Sequence, residues 1–121
     1  MQFRFKQEIK NVNIRKQLSE CLIKKYPDKI PIICEKDPNS KIKDLEKTKY
    51  IIPKDFTVSH FSILLRNKLE LKSERSFFLL AKGKYAIVGE TSIDDIYERY
   101  ADKSDGFLYI FYVLEMFWGG T

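Results

Sequence analysis

Apolar residues near the N-terminus recur at the three- and four-residue steps that are typical of amphipathic helices. The apolar side of a predicted short first helix holds Phe3, Phe5 and Ile9. The apolar side of a predicted second helix holds Ile14, Leu18, Cys21, Leu22 and Tyr26. Its opposite face carries Arg15, Lys16 and Lys24. Asn11 or Asn13 can cap this second helix, and Pro27 ends it.

Residues 29–34 predict a strand that is covered on both faces. Their apolar side chains fall on both parities: Ile30, Ile32 and Cys34 on one face, Pro31 and Ile33 on the other. A half-exposed strand would alternate apolar with polar residues. We therefore expect one face to meet a core helix and the other face to meet the two N-terminal helices.

A second strand is predicted over residues 47–53, with the sequence Lys47-Thr48-Lys49-Tyr50-Ile51-Ile52-Pro53. Proline donates no ladder hydrogen bond and lysine often protects an exposed edge, so this strand should lie at the border of a sheet. An unpaired border can accept the backbone of another chain as an extra strand.

The remaining pattern predicts a helix capped by Thr57, a short buried strand over residues 77–80 and a brief strand over residues 85–88. A small helix capped by Ser92 follows. Residues 107–113 have no polar alternation and predict a central strand covered on both faces. A hairpin, a crossover helix and a late central strand indicate an α+β fold of the β-grasp type, in which the first and last strands pair in parallel.

The 121 residues are 44% hydrophobic and 32% charged, which is typical of one soluble globular domain. Residues 1–29 hold eight lysines and arginines against three acids, which equals the net charge of +5 of the whole chain. This basic segment would attract acidic peptides, anionic lipid or nucleic acid. No apolar run approaches the ~18–20 residues that span a bilayer, and no signal core is present, so we expect a cytosolic protein.

Candidate catalytic and metal-binding residues are few. His60 is the only histidine, and Cys21 and Cys34 are expected to be buried free thiols. The sequence therefore predicts no enzyme, no cofactor and no metal site. A nucleic-acid-binding domain that uses the basic N-terminal segment with Phe3 and Phe5 stays an alternative, although no stacking motif lies on a strand.

Several stretches resemble the autophagy ubiquitin-like modifier family, which includes the GABA-receptor-associated proteins and the microtubule-associated-protein light chains. They are Lys24-Lys25-Tyr26-Pro27-Asp28-Lys29-Ile30-Pro31, Glu35-Lys36, residues 47–53, Phe56-Thr57-Val58, Leu64-Leu65-Arg66, Ser76-Phe77-Phe78-Leu79-Leu80, Ile96-Tyr97-Glu98 and Asp105-Gly106-Phe107-Leu108-Tyr109. The resemblance implies a ubiquitin-like β-grasp fold with two additional N-terminal helices. It also implies a modifier that is conjugated to phosphatidylethanolamine and recruits cargo receptors and autophagy machinery through short peptides.

The resemblance further implies two pockets beside the border strand for an aromatic-x-x-aliphatic peptide. The aromatic pocket would consist of Leu22, Pro31, Ile33, Lys49, Ile51 and Phe107. The aliphatic pocket would consist of Tyr50, Ile52, Pro53, Phe56, Phe61, Leu64 and Leu65. Acidic residues that flank the peptide motif would contact Lys29, Lys47 and Lys49. From helical spacing alone, the apolar stripe would more often be ordinary core.

By the same resemblance, a cysteine protease would trim the chain after an aromatic-glycine pair, here Trp118-Gly119, and conjugation enzymes would attach the lipid to Gly119 or to Gly120. The protein would then be cytoplasmic, and bound to autophagosome or vesicle membranes when lipidated. The chain divides into an N-terminal helical extension (1–28), a ubiquitin-like domain (29–114) and a tail (115–121). The tail is apolar where relatives carry polar residues, so an adaptor of the same fold that is never lipidated is the second hypothesis.

Overall fold

The computed structural model describes residues 3–72 and 76–114. The elements follow in the order α1 (Arg4–Glu8), α2 (Val12–Lys25), β1 (Lys29–Lys36), β2 (Lys49–Pro53), α3 (Val58–Leu69), β3 (Phe77–Ala81), β4 (Tyr85–Ile87), α4 (Ile93–Tyr100) and β5 (Leu108–Leu114). This order confirms the α+β fold with two helices ahead of a β-grasp domain.

One five-stranded sheet runs in the order β2-β1-β5-β3-β4. The first and last strands, β1 and β5, pair in parallel near its centre, as the sequence predicts, and Ile32 lies opposite Leu108. The other three pairings are antiparallel. β2 and β4 are therefore the two border strands, at opposite sides of the sheet.

Each face of the sheet is covered by a separate apolar cluster. On one face Ile32 and Cys34 pack with Phe61 and Leu65 of α3 in the main core. On the other face Ile33 belongs to an N-terminal cluster that includes Phe3 of the chain start. Both faces of β1 are thus buried, as its unbroken apolar run predicts.

The predicted caps of the later helices are present. The Thr57 side chain accepts a hydrogen bond from the His60 amide, and the Thr57 amide donates to Nδ1 of His60, which makes a reciprocal capping box. The Ser92 hydroxyl accepts a hydrogen bond from the Asp95 amide at the start of α4. Asn11 is the cap of α2.

The orientation of α2 corrects the sequence prediction. Arg15, placed on the solvated face by the pattern, is only 7% exposed, whereas Ile14 is 47% exposed and Cys21 is also exposed. The helix turns Arg15 inward because the buried Asp105 carboxylate needs a cationic partner. A second correction concerns β3, where Phe78 is exposed although residues 77–80 were expected to form a buried strand.

Among the described residues, no helix combines the length and the apolar character that crossing a bilayer requires.

Candidate peptide-binding edge

The border strand β2 bonds to β1 along one side of its backbone. The Cys34 amide donates to the Thr48 carbonyl at 2.7 Å, and the Lys54 amide donates to the Asp28 carbonyl at 3.0 Å. Because antiparallel hydrogen-bonded pairs alternate with non-hydrogen-bonded pairs, these two contacts fix the pattern along the whole strand.

Tyr50 and Ile52 therefore direct their backbone groups toward β1, while Lys49 and Ile51 direct their N–H and C=O groups away from the sheet. Pro31 lies opposite Ile51, at a position where β1 needs no donor toward β2. It also precedes the first residue paired with β5, Ile32, so proline breaks no ladder bond within β1. The result is an outward row of peptide groups with the spacing that an added strand requires.

The six residues of the predicted aromatic pocket lie on the face of the sheet that the N-terminal helices cover. Lys49 and Ile51 lie opposite Ile33 and Pro31 in the antiparallel register. Pro31, Ile33 and Phe107 are fully buried, whereas Leu22 and Ile51 are half-buried and Lys49 is exposed. The three buried residues thus form the floor of the aromatic pocket. Leu22, Lys49 and Ile51 form its accessible rim.

Phe5 of α1 takes part in this floor, although it is not among the six residues predicted for the aromatic pocket. Its ring meets the ring of Phe107 edge-on, with 5.2 Å between the centroids. The Glu35 carboxylate of β1 holds this end of α1, because it accepts hydrogen bonds from the amides of Arg4 at 2.7 Å and Phe5 at 2.8 Å. The sequence signal was the place of Phe5 on the apolar side of the predicted first helix, which was expected to cover this face of β1.

Six of the seven residues of the predicted aliphatic pocket belong to or pack against the main core on the face that α3 covers, whereas Pro53, at the end of β2, has the parity of Lys49 and Ile51. Tyr50, Ile52, Phe61 and Leu65 are buried in the main core. Pro53, Phe56 and Leu64 are half-buried. Of the seven, these last three form the part that a partner can reach without opening the core.

Tyr50 is a polar residue inside an apolar wall. Its hydroxyl is buried and has no hydrogen-bond partner among the described residues. Burial, with a smaller electrostatic contribution from Cys34, raises the pKa of Tyr50 to about 12. Its ring meets Phe61 edge-on, and the amino groups of Lys47 and Lys68 lie 5.7 and 6.0 Å from the ring centroid. These two amino groups lie near the aromatic ring of Tyr50, and its hydroxyl has no hydrogen-bond partner among the described residues.

The three lysines that were expected to receive acidic flanking residues are all exposed. Lys49 lies on β2 itself, and Lys47 lies two residues before it. Lys29 begins β1 opposite Pro53, with its amino group 5.6 Å from the Tyr26 ring centroid. The positive charges therefore lie at both ends of the border strand.

A buried polar network fixes α2 against the segment that carries Phe107. Nε of Arg15 donates to the Asp105 carboxylate at 2.8 Å, and the Tyr109 hydroxyl donates to the same carboxylate at 2.5 Å. The other carboxylate oxygen accepts from the Phe107 amide at 3.0 Å. The Ser19 hydroxyl donates to the Asp105 carbonyl. Sequence reasoning used Asp105 only as part of a stretch that resembles the family and missed this network.

The members of the network shift one another's pKa values. Burial and the neighbouring Asp105 raise the pKa of Tyr109. Burial alone would lower the pKa of Arg15, but the hydrogen bond and charge of Asp105 raise it.

Gly106 has a positive φ of 81°, and an added Cβ would lie 2.6 Å from Oγ of Ser19, so α2 approaches this turn too closely for a side chain.

The thiols show different surroundings. Cys34 is fully buried, and burial with the nearby Glu35 charge raises its pKa, so the reactive thiolate is suppressed. Cys21 is exposed, which contradicts the expectation that both thiols are buried.

Within residues 3–72 and 76–114, no three His, Cys, Asp or Glu side chains converge as a metal site. The predicted attachment residues Gly119 and Gly120, and the whole tail 115–121, lie outside the described residues.

Comparison with known proteins agrees with this architecture. The family model described as autophagy protein Atg8, ubiquitin-like, matches residues 14–119. Autophagy-related protein 8 of Kluyveromyces marxianus is 36% identical over 107 residues, which cover 88% of this chain and 85% of the relative. The crystal structure of Trypanosoma brucei ATG8 matches with a TM-score of 0.81 and 34% identity, covering 90% of this chain and 92% of that chain. The chain therefore belongs to the Atg8 family of ubiquitin-like autophagy proteins.

Proposed function

We propose that this Atg8-family protein binds short peptides of cargo receptors and autophagy machinery along β2. The observation that carries the proposal is the outward row of N–H and C=O groups at Lys49 and Ile51, on a border strand that pairs with β1 alone among the described strands. Main-chain hydrogen bonds to this row would supply affinity, and the side chains on the two faces of β2 would supply specificity.

The partner's aromatic residue would contact the half-buried Leu22 and Ile51 and the stem of Lys49. Its aliphatic residue, three positions later, would contact Pro53, Phe56 and Leu64. The buried members of both predicted pockets would support these contacts from below. Acidic residues before the motif would meet Lys47 and acidic residues after it would meet Lys29, each pair contributing ~0.2–1 kcal/mol because the pairs are exposed.

A direct test is the titration of isotope-labelled protein with a peptide that carries acidic residues, then Trp-x-x-Leu. We expect saturable binding of roughly micromolar strength, ~−8 kcal/mol, with the largest amide shifts at Lys49 and Ile51. The control peptide has alanine in place of both anchors and should not saturate. Equal binding of the two peptides, or shifts confined to regions remote from β2, would contradict the proposal.

We further propose that a glycine of the tail, Gly119 or Gly120, is conjugated to phosphatidylethanolamine by conjugation enzymes after a cysteine protease has trimmed the chain. The family match that extends to Gly119 supports this proposal. Glycine suits the step because a carboxylate without a neighbouring Cβ is easily reached by a thiolate or an amine. Two acyl chains then give stable membrane anchoring, which one chain does not.

Mass measurement of the protein purified from starved cells distinguishes the possible fates of the tail. A lipid adduct at Gly119, with Gly120 and Thr121 removed, is the expected result. An adduct at Gly120 would shift the attachment point by one residue. Finding only chains that end at intact Thr121 would reject conjugation and favour the adaptor that binds peptides without lipidation.

A further inference from the structure

A basic hollow lies outside the peptide edge. It is an open cavity of about 420 Å³ between α1, the turn that joins β3 to β4, and the C-terminal end of α4. Its charged lining consists of Lys6, Lys82, Lys84, Lys103 and Asp102. Of these residues, only Lys6 contributed to the sequence analysis, as one of the eight basic residues of the segment 1–29.

The hollow has an unbalanced positive charge. Its one lining carboxylate, Asp102, is already engaged by the amino group of Lys6. Burial alone would raise the pKa of Asp102, but hydrogen bonds from Lys6 and Ser104 lower it to about 2, so it is ionised at neutral pH. Lys82, Lys84 and Lys103 form no ion pair with any residue in the described ranges. Three lysines of the lining thus have no counter-charge among the described residues, and the amino group of Lys84 lies 5.8 Å from the Tyr85 ring centroid.

The turn that presents two of these lysines has an unusual residue choice. Lys82 and Gly83 have φ angles of 58° and 79°, which are those of a tight hairpin turn that favours Asn-Gly or Gly-Gly. Lysine in the left-handed region costs conformational free energy that asparagine would largely avoid. The turn also presses on the sheet, since a Cβ on Gly83 would lie 2.9 Å from the Phe111 ring. The left-handed backbone conformation of Lys82 is therefore maintained at a cost in conformational free energy.

The floor of the hollow is aromatic rather than polar. Phe3 and Tyr109 are buried beneath it, and Tyr100 forms part of its wall, with its ring stacked on Tyr85 at 5.2 Å between centroids. The volume lies in the range of small-molecule sites and greatly exceeds what a single inorganic anion fills. Amino groups around an apolar floor match a molecule with an anionic group and a larger organic body.

We propose that this hollow binds an organic phosphate, with the phosphate held by Lys82, Lys84 and Lys103 and the organic body lying over the aromatic floor. Lysine amino groups are common phosphate ligands that act as point charges. The phosphate can belong to a lipid headgroup or to a soluble phosphate ester, and the chemistry of recognition is the same. The site is separate from the peptide edge, because none of its lining residues belongs to β2 or to either predicted peptide pocket.

The test uses isotope-labelled full-length protein titrated with inositol trisphosphate, in parallel with sedimentation of phosphatidylcholine vesicles that contain or lack phosphatidylinositol bisphosphate. We expect saturable amide shifts centred on Lys82, Gly83, Lys84 and Lys103. The variant Lys82→Asn/Lys84→Gln should weaken binding about tenfold, as expected for the loss of two partly screened charges. Its folding should be intact, since asparagine suits the left-handed position.

The matched control is Lys41→Gln/Lys72→Gln, which removes the same charge from exposed positions outside the hollow. It should change the affinity less than twofold. Binding to both the soluble probe and the bisphosphate vesicles would identify a lipid headgroup as an accessible source, and binding to the soluble probe alone would identify a free phosphate ester. Absence of saturation with either probe, or equal weakening in the two variants, would overturn the proposal in favour of general electrostatic attraction.

Discussion

Replacing Asp105 with alanine should lower the free energy of unfolding by about 3–5 kcal/mol, the cost of leaving a buried charge without its partner. Asp105 is fully buried, and Arg15 is 7% exposed. In the variant, Arg15 would keep its bonds to the Ile9 and Lys10 carbonyls but would lose its only ion-pair partner within the described residues. Domains of this size have only ~5–15 kcal/mol of net stability, so the variant would be close to unfolding.

The loss extends beyond the ion pair. The Tyr109 hydroxyl and the Phe107 amide both donate to the Asp105 carboxylate, and both would be left buried and unsatisfied. Since Arg15 belongs to α2 and Tyr109 to β5, the carboxylate joins the N-terminal helices to the centre of the sheet. We therefore expect lower protection of α2 amides from hydrogen exchange as well as lower global stability.

Two further variants calibrate this prediction in urea unfolding. Arg15→Ala leaves the fully buried Asp105 carboxylate with two hydrogen-bond donors but no cation, so it should also cost about 3–5 kcal/mol. Tyr109→Phe keeps the ring in its cluster and removes one donor, at a cost of about 1 kcal/mol. If Asp105→Ala destabilises the protein no more than Tyr109→Phe does, the network has no special role in holding α2.

The fold followed from local patterns in the sequence because those patterns are physically decisive. Apolar residues on both parities of residues 30–34 require cover on both faces, and the late unbroken run over residues 107–113 requires a central position. Thr57 and Ser92 mark helix starts by the same capping chemistry that the structure shows. The orientation of α2 did not follow, because Arg15 faces inward only in response to Asp105, ninety residues later in the chain.

Part of the candidate peptide site could likewise be predicted from the sequence, and part could not. Period-two alternation assigns Lys49 and Ile51 to one face of β2 and Tyr50 and Ile52 to the other, and the register places them so. The depth of each pocket could not be predicted from spacing, since it depends on how closely α1 and α3 approach. Phe5 over Phe107, and the fully buried Phe61 and Leu65, are consequences of that approach.

Leu64→Ala should weaken binding of the acidic Trp-x-x-Leu peptide by about 2 kcal/mol or more, which is roughly thirtyfold. Leu64 is half-buried on α3 at the margin of the main core, so it can anchor a partner's aliphatic side chain without being essential to the core. Lys47→Ala should weaken binding by only ~0.2–1 kcal/mol, because an exposed charge pair is screened by solvent. Ile52→Ala should also weaken binding, but Ile52 is 4% exposed and its truncation would disturb the main core as well.

Ile63→Ala is the matched control for Leu64→Ala. Ile63 is the preceding residue of α3, is 56% exposed, and lines a groove with Phe78 and Val88 rather than the β2 edge. Alanine favours the helix at both positions, so both variants should fold. Calorimetry should show a large loss of peptide affinity for Leu64→Ala and a change of less than about twofold for Ile63→Ala. A larger loss for Lys47→Ala than for Leu64→Ala would mean that charge, and not the aliphatic contact, dominates recognition at this edge.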